Sequence, residues 1–356
     1  MRTFNAIKAC RTVKLGGHKR KCTDCGFTKI SYNSCRNRHC PKCQSVAKER
    51  WIKQREAELL NVAYFHIVFT LPHELNALAI QHPKQVYNAL FKSAWQTLQA
   101  FSDDPKYLNA KMGMISILHT WGQTLTLHPH IHCIVPNGGL SKNGRWVFPK
   151  KQTAKSNRKQ KYLFPKKAMS KVFRAKFMAC LRKDIQIPQS TAKLLFKKDW
   201  IIDAKQPFLG PKQVIEYLGR YTHKIAISNH RLLTISDNQI SFRYKDYRSN
   251  GVNKSMKLSA NEFIRRFSLH VLPKRFTRIR HYGILASKNK SIQLNKAKTY
   301  FSQEPWIKQK VSWENIAQEK WNIQPNCCPK CQKLQFIIVQ KNDPLRGPPV
   351  LKPNHA

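Results

Sequence analysis

Residues 123–139 read Gln-Thr-Leu-Thr-Leu-His-Pro-His-Ile-His-Cys-Ile-Val-Pro-Asn-Gly-Gly, and no other stretch restricts the fold as much. Histidines occupy alternate positions (His128, His130, His132), and the apolar residues Ile131, Cys133, Ile134 and Val135 complete the run. Bounded by Pro136 and Gly138-Gly139, such a run predicts a short buried strand. Side chains two apart on a strand share a face, so His130 and His132 stand about 7 Å apart at Cα, a reach from which two rings can converge on one ion. His128 and His132 stand about 13 Å apart, too far for all three to converge easily, so a third ligand is expected from a neighbouring segment. The competing reading is three half-buried histidines satisfied by packing.

Charge narrows the partner. Lys and Arg number 65 against 18 Asp and Glu in 356 residues, a net charge of +47. Such a charge repels itself in a compact state and calls for a polyanion, with nucleic acid the first candidate because neutralised phosphates release counterions. No apolar run approaches 18 residues, which argues against a membrane partner, and the first residues lack the apolar core of a secretory signal. The expectation is a cytoplasmic, nucleoid-associated protein. The 11 cysteines, odd in number and gathered in Cys-x-x-Cys pairs, favour metal binding over disulfides.

Cys22-x-x-Cys25 and Cys40-x-x-Cys43 read as two knuckles that together complete a tetrahedral thiolate site for structural Zn2+. Cys10, His18, Cys35 and His39 could form a second, interleaved Cys2His2 site, with His18 and His39 as phosphate contacts the alternative. Arg36 and Arg38, in the linker 33–39, suit phosphate contact. Residues 1–50 are therefore expected to form a small zinc-knuckle domain that recognises DNA. A third pair, Cys328-x-x-Cys331 beside Cys327, lacks an obvious partner; His355 could serve, or the pair stays without metal.

Downstream, residues 46–61, 84–101 and 167–184 have helical composition and spacing, and Tyr64–Leu71 and Met114–Trp121 read as strands. Gln123 falls where the second of these turns towards the histidine strand, so it could face the histidines across a hairpin. Residues 141–165 are expected to be an exposed basic insertion. Residues 225–258 suggest a small antiparallel sheet from 225–227, 232–235 and 240–244. The basic, aromatic segment 260–285 suggests contact with single strands. Residues 286–340 form a basic C-terminal region and 341–356 a disordered tail. Residues 212–223 have helical spacing that puts Tyr217 and Tyr221 on one face, one turn apart, with Arg220 and Lys224 beside them. Alone, the pair reads as core tyrosines. Beside a cation site it reads as two nucleophiles, since a tyrosine hydroxyl becomes useful against a phosphodiester once a cation withdraws charge from the phosphate. No Walker-type phosphate loop is present, so no nucleotide cofactor is expected.

The segments Tyr32–Cys43, Tyr64–Pro72, His128–Cys133, Tyr217–Tyr221 and Arg278–Gly283 together resemble the two-tyrosine, rolling-circle insertion-sequence transposases of the HUH endonuclease class, which carry an N-terminal zinc-binding domain. The resemblance spans roughly residues 10 to 331. It implies an α+β fold with a palm-like antiparallel sheet and flanking helices, placed over 51–285. It also implies His130 and His132 as ligands of a catalytic Mg2+ or Mn2+ and Tyr217 and Tyr221 as nucleophiles. Related proteins often complete the metal site with a polar residue; by position Gln123 matches best, with His128 and His119 as alternatives. Arg278 and Arg280 join the expected DNA contacts. The partner implied is DNA, as single-stranded or hairpin element ends and target. The chain begins close to its zinc module, so an upstream segment is expected. A plasmid replication initiator or relaxase would share this chemistry, and a chain that had lost it would remain a zinc-dependent DNA-binding protein.

Overall fold

The computed structural model describes residues 2–150, 163–204, 213–214, 219 and 225–344. It divides into two compact units: Met1–Lys53 with Gln309–Ala356 and His223–Ile225, and Gln54–Thr222 with Ala226–Lys308. The basic C-terminal region expected at 286–340 is therefore split, its later part belonging with the cysteine-rich first fifty residues.

The larger unit is built on an antiparallel sheet of five strands: β1 (Tyr64–Thr70), β2 (Gly113–Trp121), β3 (Leu127–Pro136), β4 (Ile202–Ala204) and β5 (Ile279–Gly283), in the spatial order β5-β2-β3-β1-β4. The alternation of each strand gives the sheet two chemically distinct faces. Phe65, Ile67 and Phe69 lie beside Val135, Cys133 and Ile131, and with Leu118 they enter the main core. Two helices pack there, α1 (Pro83–Asp103) and α2 (Lys166–Leu181), and Phe69 meets Phe173 of α2 at 4.9 Å between ring centres. Each fully buried aromatic or aliphatic side chain contributes about 1.5–3 kcal/mol. The opposite face presents His66, Thr70, His130, His132, His119 and His281 in place of a continuous apolar surface.

Pro136 ends β3, and the turn behind it needs glycine at 138. Its φ is +125°, and a Cβ there would lie 2.4 Å from the indole nitrogen of Trp146. That tryptophan, with Leu163 and Phe164, is buried, so the insertion expected at 141–165 has ends anchored in the fold; residues 151–162 lie outside the described residues.

A second, three-stranded sheet joins Leu232–Ile235, Gln239–Asp246 and Val252–Ser259, capped by the helix Ala260–Ser268. The expected strand at 225–227 is not one. Ala226 and Ile227 pack beneath this sheet with Phe242 and Trp121, and the third strand is the polar Val252–Ser259. Its composition hides it because both of its sides are largely exposed. β5 was hidden for a related reason, being short and basic. The tail expected to be disordered from 341 begins as strand, Phe336–Asn342, and residues 345–356 lie outside the described residues. Among the described residues no helix is long and apolar enough to cross a membrane.

His270 is buried between Thr120 Oγ1 (3.2 Å) and the carbonyl of Leu125 (3.1 Å), and burial pushes its pKa down to about 4, partly offset by the Leu125 bond. A depressed histidine pKa means that the unfolded chain takes up the proton first as pH falls. The stabilisation is thus complete above about pH 6.5 and lost between 6.5 and 4. We expect the thermal midpoint to fall over that window, and His270→Gln to lower it at pH 7 while flattening part of the slope. Calorimetry across pH 4–7.5 checks both.

Candidate active site and metal centres

β2 and β3 pair so that His119 lies directly opposite His130, and Ile117 opposite His132. Opposed residues of an antiparallel pair share a face, so this register puts three imidazoles together. One nitrogen from each of His119, His130 and His132 lies within 4.8 Å of the others. His119 and His132 are buried and His130 is half-buried. The orientation of the rings is set by further contacts. His130 Nδ1 is 2.7 Å from the carbonyl of His128, and His132 Nδ1 is 2.8 Å from His66 Nε2. With each Nδ1 so engaged, Nε2 is the nitrogen through which His130 and His132 would ligate. His119 is held by the indole of Trp121, stacked at 4.7 Å. Of the two expected ions, three convergent imidazoles suit Mn2+ better than Mg2+, which holds more strictly to oxygen ligands.

Gln123, placed as the third ligand by sequence position, is not in this group. It lies in the turn between β2 and β3, where successive carbonyls are each taken by a side chain: Gln123 O by Arg231 (2.5 Å), Thr124 O by Arg266 (3.0 Å) and Leu125 O by His270. The turn is thereby drawn towards the three-stranded sheet, and the Gln123 side chain accepts from the backbone nitrogen of Lys245 at 3.5 Å. His119, the alternative from the preceding strand, lies with His130 and His132. His128 is exposed and outside the cluster; its carbonyl engages His130 Nδ1 and its ring lies 5.1 Å from that of His130.

Two further histidines on this face escaped the sequence reading. His66 buttresses His132. His281, opposite Ile115, sits 2.9 Å from an Arg55 guanidinium nitrogen, and burial, then Arg55 and Lys290, push its pKa down to about 3, so it accepts as a neutral ring. Arg55 in turn pairs with buried Glu58 at 2.7 Å, and Lys290 pairs with the same carboxylate. His66 could have been suspected from its position inside an apolar strand, but only the register shows that it shares the face of His132.

The cysteines regroup. Cys10, Cys35, Cys40 and Cys43 form one four-thiol cluster, and Cys22, Cys25, Cys328 and Cys331 form another, with the sulfurs of each within 4.8 Å. The expected pairing of Cys22-Cys25 with Cys40-Cys43 fails for a geometric reason. Gly17–Cys22 and Thr28–Tyr32 form a hairpin with Gly17 opposite Tyr32, so Cys22 and Cys25 sit at its turn. Residues 33–43 leave from the far end, where Arg11 and Asn33, and Asn33 and Gly16, are joined by backbone hydrogen bonds that bring Cys10 to Cys35. His18 lies on the strand and His39 is buried nearby, but neither is in a cluster. Cys35 and Cys43 sulfurs are 3.7 Å apart, close to the edge of about 3.8 Å that a tetrahedron with zinc–sulfur bonds of about 2.3 Å requires. The donor set fits structural zinc.

Of the expected DNA contacts, Arg36 is exposed and Arg38 half-buried. Arg278 is buried, and half-buried Arg280 lies over Phe91 at 4.1 Å and donates to Asn88. Tyr217, Tyr221, Arg220 and Lys224 lie outside the described residues, as does His355.

An antiparallel sheet with a histidine cluster on one face, together with a cysteine-rich unit suited to zinc, defines the class. The family model described as "Putative transposase" matches residues 113–292, about half of the chain, and a "Transposase zinc-binding domain" matches residues 1–71. The chain belongs to this transposase family. It is 40% identical over 370 residues to the "Putative transposase y4qJ" of Sinorhizobium fredii, covering 98% of this chain and 91% of that protein. It is 28% identical to the "Transposase for insertion sequence element IS801" of Pseudomonas savastanoi pv. phaseolicola, over 80% of this chain and 70% of that one.

For the third ligand the expected outcome is clear-cut. His119→Ala should weaken Mn2+ binding, read by electron paramagnetic resonance, by about tenfold or more, whereas Gln123→Ala should leave it unchanged. The reverse result would restore the glutamine.

Proposed function

We propose that the protein nicks and rejoins the single-stranded ends of an insertion sequence through 5'-phosphotyrosine intermediates, in a rolling-circle cycle of transposition. The observation that carries this reading is the cluster of His119, His130 and His132 on the non-core face of an antiparallel sheet in a chain of a transposase family. The IS801 transposase, named for an insertion sequence, supports the same reading.

When bound there, a divalent ion, Mn2+ in preference to Mg2+, would withdraw charge from the scissile phosphate. His119, His130 and His132 would hold it, with His130 oriented by His128 O and His132 by His66. Tyr217 and Tyr221, four residues apart, supply the hydroxyls. The phenolic oxygen forms the new bond to phosphorus, the bond from phosphorus to the 3' oxygen breaks, and the phenolic proton passes to solvent as the 3' oxygen takes one up. The phosphodiester energy is kept in the phosphotyrosine, so rejoining needs no nucleotide. Two tyrosines allow one end to be held while the second attacks another strand. The net charge of +47 provides attraction for the DNA, and the cysteine-rich unit, with exposed Arg36, serves as a recognition module.

Labelled single-stranded oligonucleotides from the element ends test the chemistry. Tyr217→Phe combined with Tyr221→Phe should abolish protein–DNA adducts that survive denaturation. His130→Ala or His132→Ala should slow nicking by about 100-fold or more while leaving DNA binding nearly intact. Adducts that persist in the double phenylalanine variant would sink the mechanism.

A further inference from the structure

The family's zinc-binding match stops at residue 71, yet half of one thiol cluster comes from Cys328 and Cys331. Cys22 and Cys331 sulfurs are 3.6 Å apart, as are those of Cys25 and Cys328, across separations of 309 and 303 residues. These distances again match the edge of about 3.8 Å expected of a zinc tetrathiolate and are far longer than a disulfide of about 2.05 Å.

The two half-sites have the same local construction. In the first, the nitrogen of Gly26 donates to Cys22 O (3.1 Å), that of Cys22 donates to Phe27 O (2.9 Å), and Gly26 has φ +69°. In the second, the nitrogen of Gln332 donates to Cys328 O (2.9 Å), that of Cys328 donates to Lys333 O (2.9 Å), and Gln332 has φ +61°. Position for position these are two copies of one metal-binding turn, and the second adopts a left-handed conformation with a side chain present, a strained choice outside such a turn.

The surroundings bring the halves together. Phe336–Asn342 pairs antiparallel with Gly17–Cys22, placing Cys22 opposite Phe336. Arg20 lies over the Phe336 ring at 4.6 Å and donates to Asn326 (3.0 Å) and Phe336 O (2.5 Å). Thr23 donates through its nitrogen to Gln335 O (3.1 Å), and Lys333 pairs with Asp24 at 2.8 Å. Cys22, Cys328 and Phe336 are buried together, so four thiols share a small core filled, among the described residues, by Phe27 and Phe336.

We infer that Cys22, Cys25, Cys328 and Cys331 bind a second structural zinc ion, separate from the one at Cys10, Cys35, Cys40 and Cys43, and that this ion clasps the strand Phe336–Asn342 to Gly17–Cys22. The clasp makes residues 326–342 an integral part of the zinc unit. The inference rests on reading the thiol clusters as zinc sites and is independent of the strand-transfer chemistry.

Elemental mass spectrometry on the desalted full chain should find two zinc ions per molecule. Cys328→Ser with Cys331→Ser should bind one, and Cys35→Ser with Cys43→Ser should also bind one. Co2+ substitution should give tetrathiolate spectra at both sites, and Cys331→His, which still offers a ligand, should keep two ions with one spectrum shifted. Hydrogen exchange in the Cys328/Cys331 serine variant should lose protection in Phe336–Asn342 while β2 and β3 stay protected. A wild-type content of one ion, retained in the Cys328/Cys331 serine variant, overturns the clasp but leaves the first zinc site standing. No zinc at all overturns both readings.

Discussion

The pairing of β2 with β3 places His119 opposite His130, and the three histidines gather only in that register. Because side chains alternate across a strand, a slip of one residue would carry His130 and His132 to the face packed on α1 and α2 and bring Ile131 and Cys133 out. Two features prevent the slip. The core face of β3 is apolar throughout, and the turn 122–126 is clamped by Arg231, Arg266 and His270, each taking one of three successive carbonyls. Leu125, at φ +60° in that turn, is buried among Trp121 and Phe242 and so has packing to offset its backbone strain. The three-stranded sheet thus acts on the site through backbone carbonyls, without supplying a ligand.

Charge is handled in the same economical way. With 18 acidic residues against 65 basic ones, carboxylates are placed where they answer more than one donor. Glu58 serves Arg55 and Lys290, Glu262 serves Arg265 and Arg266, and Asp246 takes Lys254 while its Oδ1 caps the turn at Arg248. Two of these that are half-buried, Glu262 and Asp246, have carboxyls held down to about 2 by hydrogen bonds from their basic partners. Acid groups so engaged leave the excess positive charge to the surface, where a polyanion meets it.

Much of this was legible in the sequence, and what was not shares a cause. Periodicity located β1, β2, β3, α1 and α2, because burial on one face imposes a period of two or 3.6. The histidine pair followed from alternation alone. Which residue would join the pair depended on register between strands, and sequence position favoured Gln123 where pairing selects His119. The cysteine partners failed likewise. Cys-x-x-Cys spacing identifies a turn, but a hairpin decides which turns meet, and here it separates Cys25 from Cys40 and turns Cys25 towards Cys328. β5 and Val252–Ser259 were missed because strands with polar or basic outer positions lack an apolar signature. The cation-π contact of Arg280 with Phe91 is likewise invisible until the fold places the ring.

The split of one thiol cluster across 303 residues also has a meaning in time. Synthesis proceeds at about 5–20 residues per second, so about 15–60 s separate the emergence of Cys25 from that of Cys328. Throughout that interval the first knuckle offers two thiolates of four, while every strand of the five-stranded sheet is made and free to pair. The unit that starts the chain is therefore the last to be finished, and a ribosome that stops early leaves a protein whose sheet is whole and whose first knuckle is still waiting for its other half.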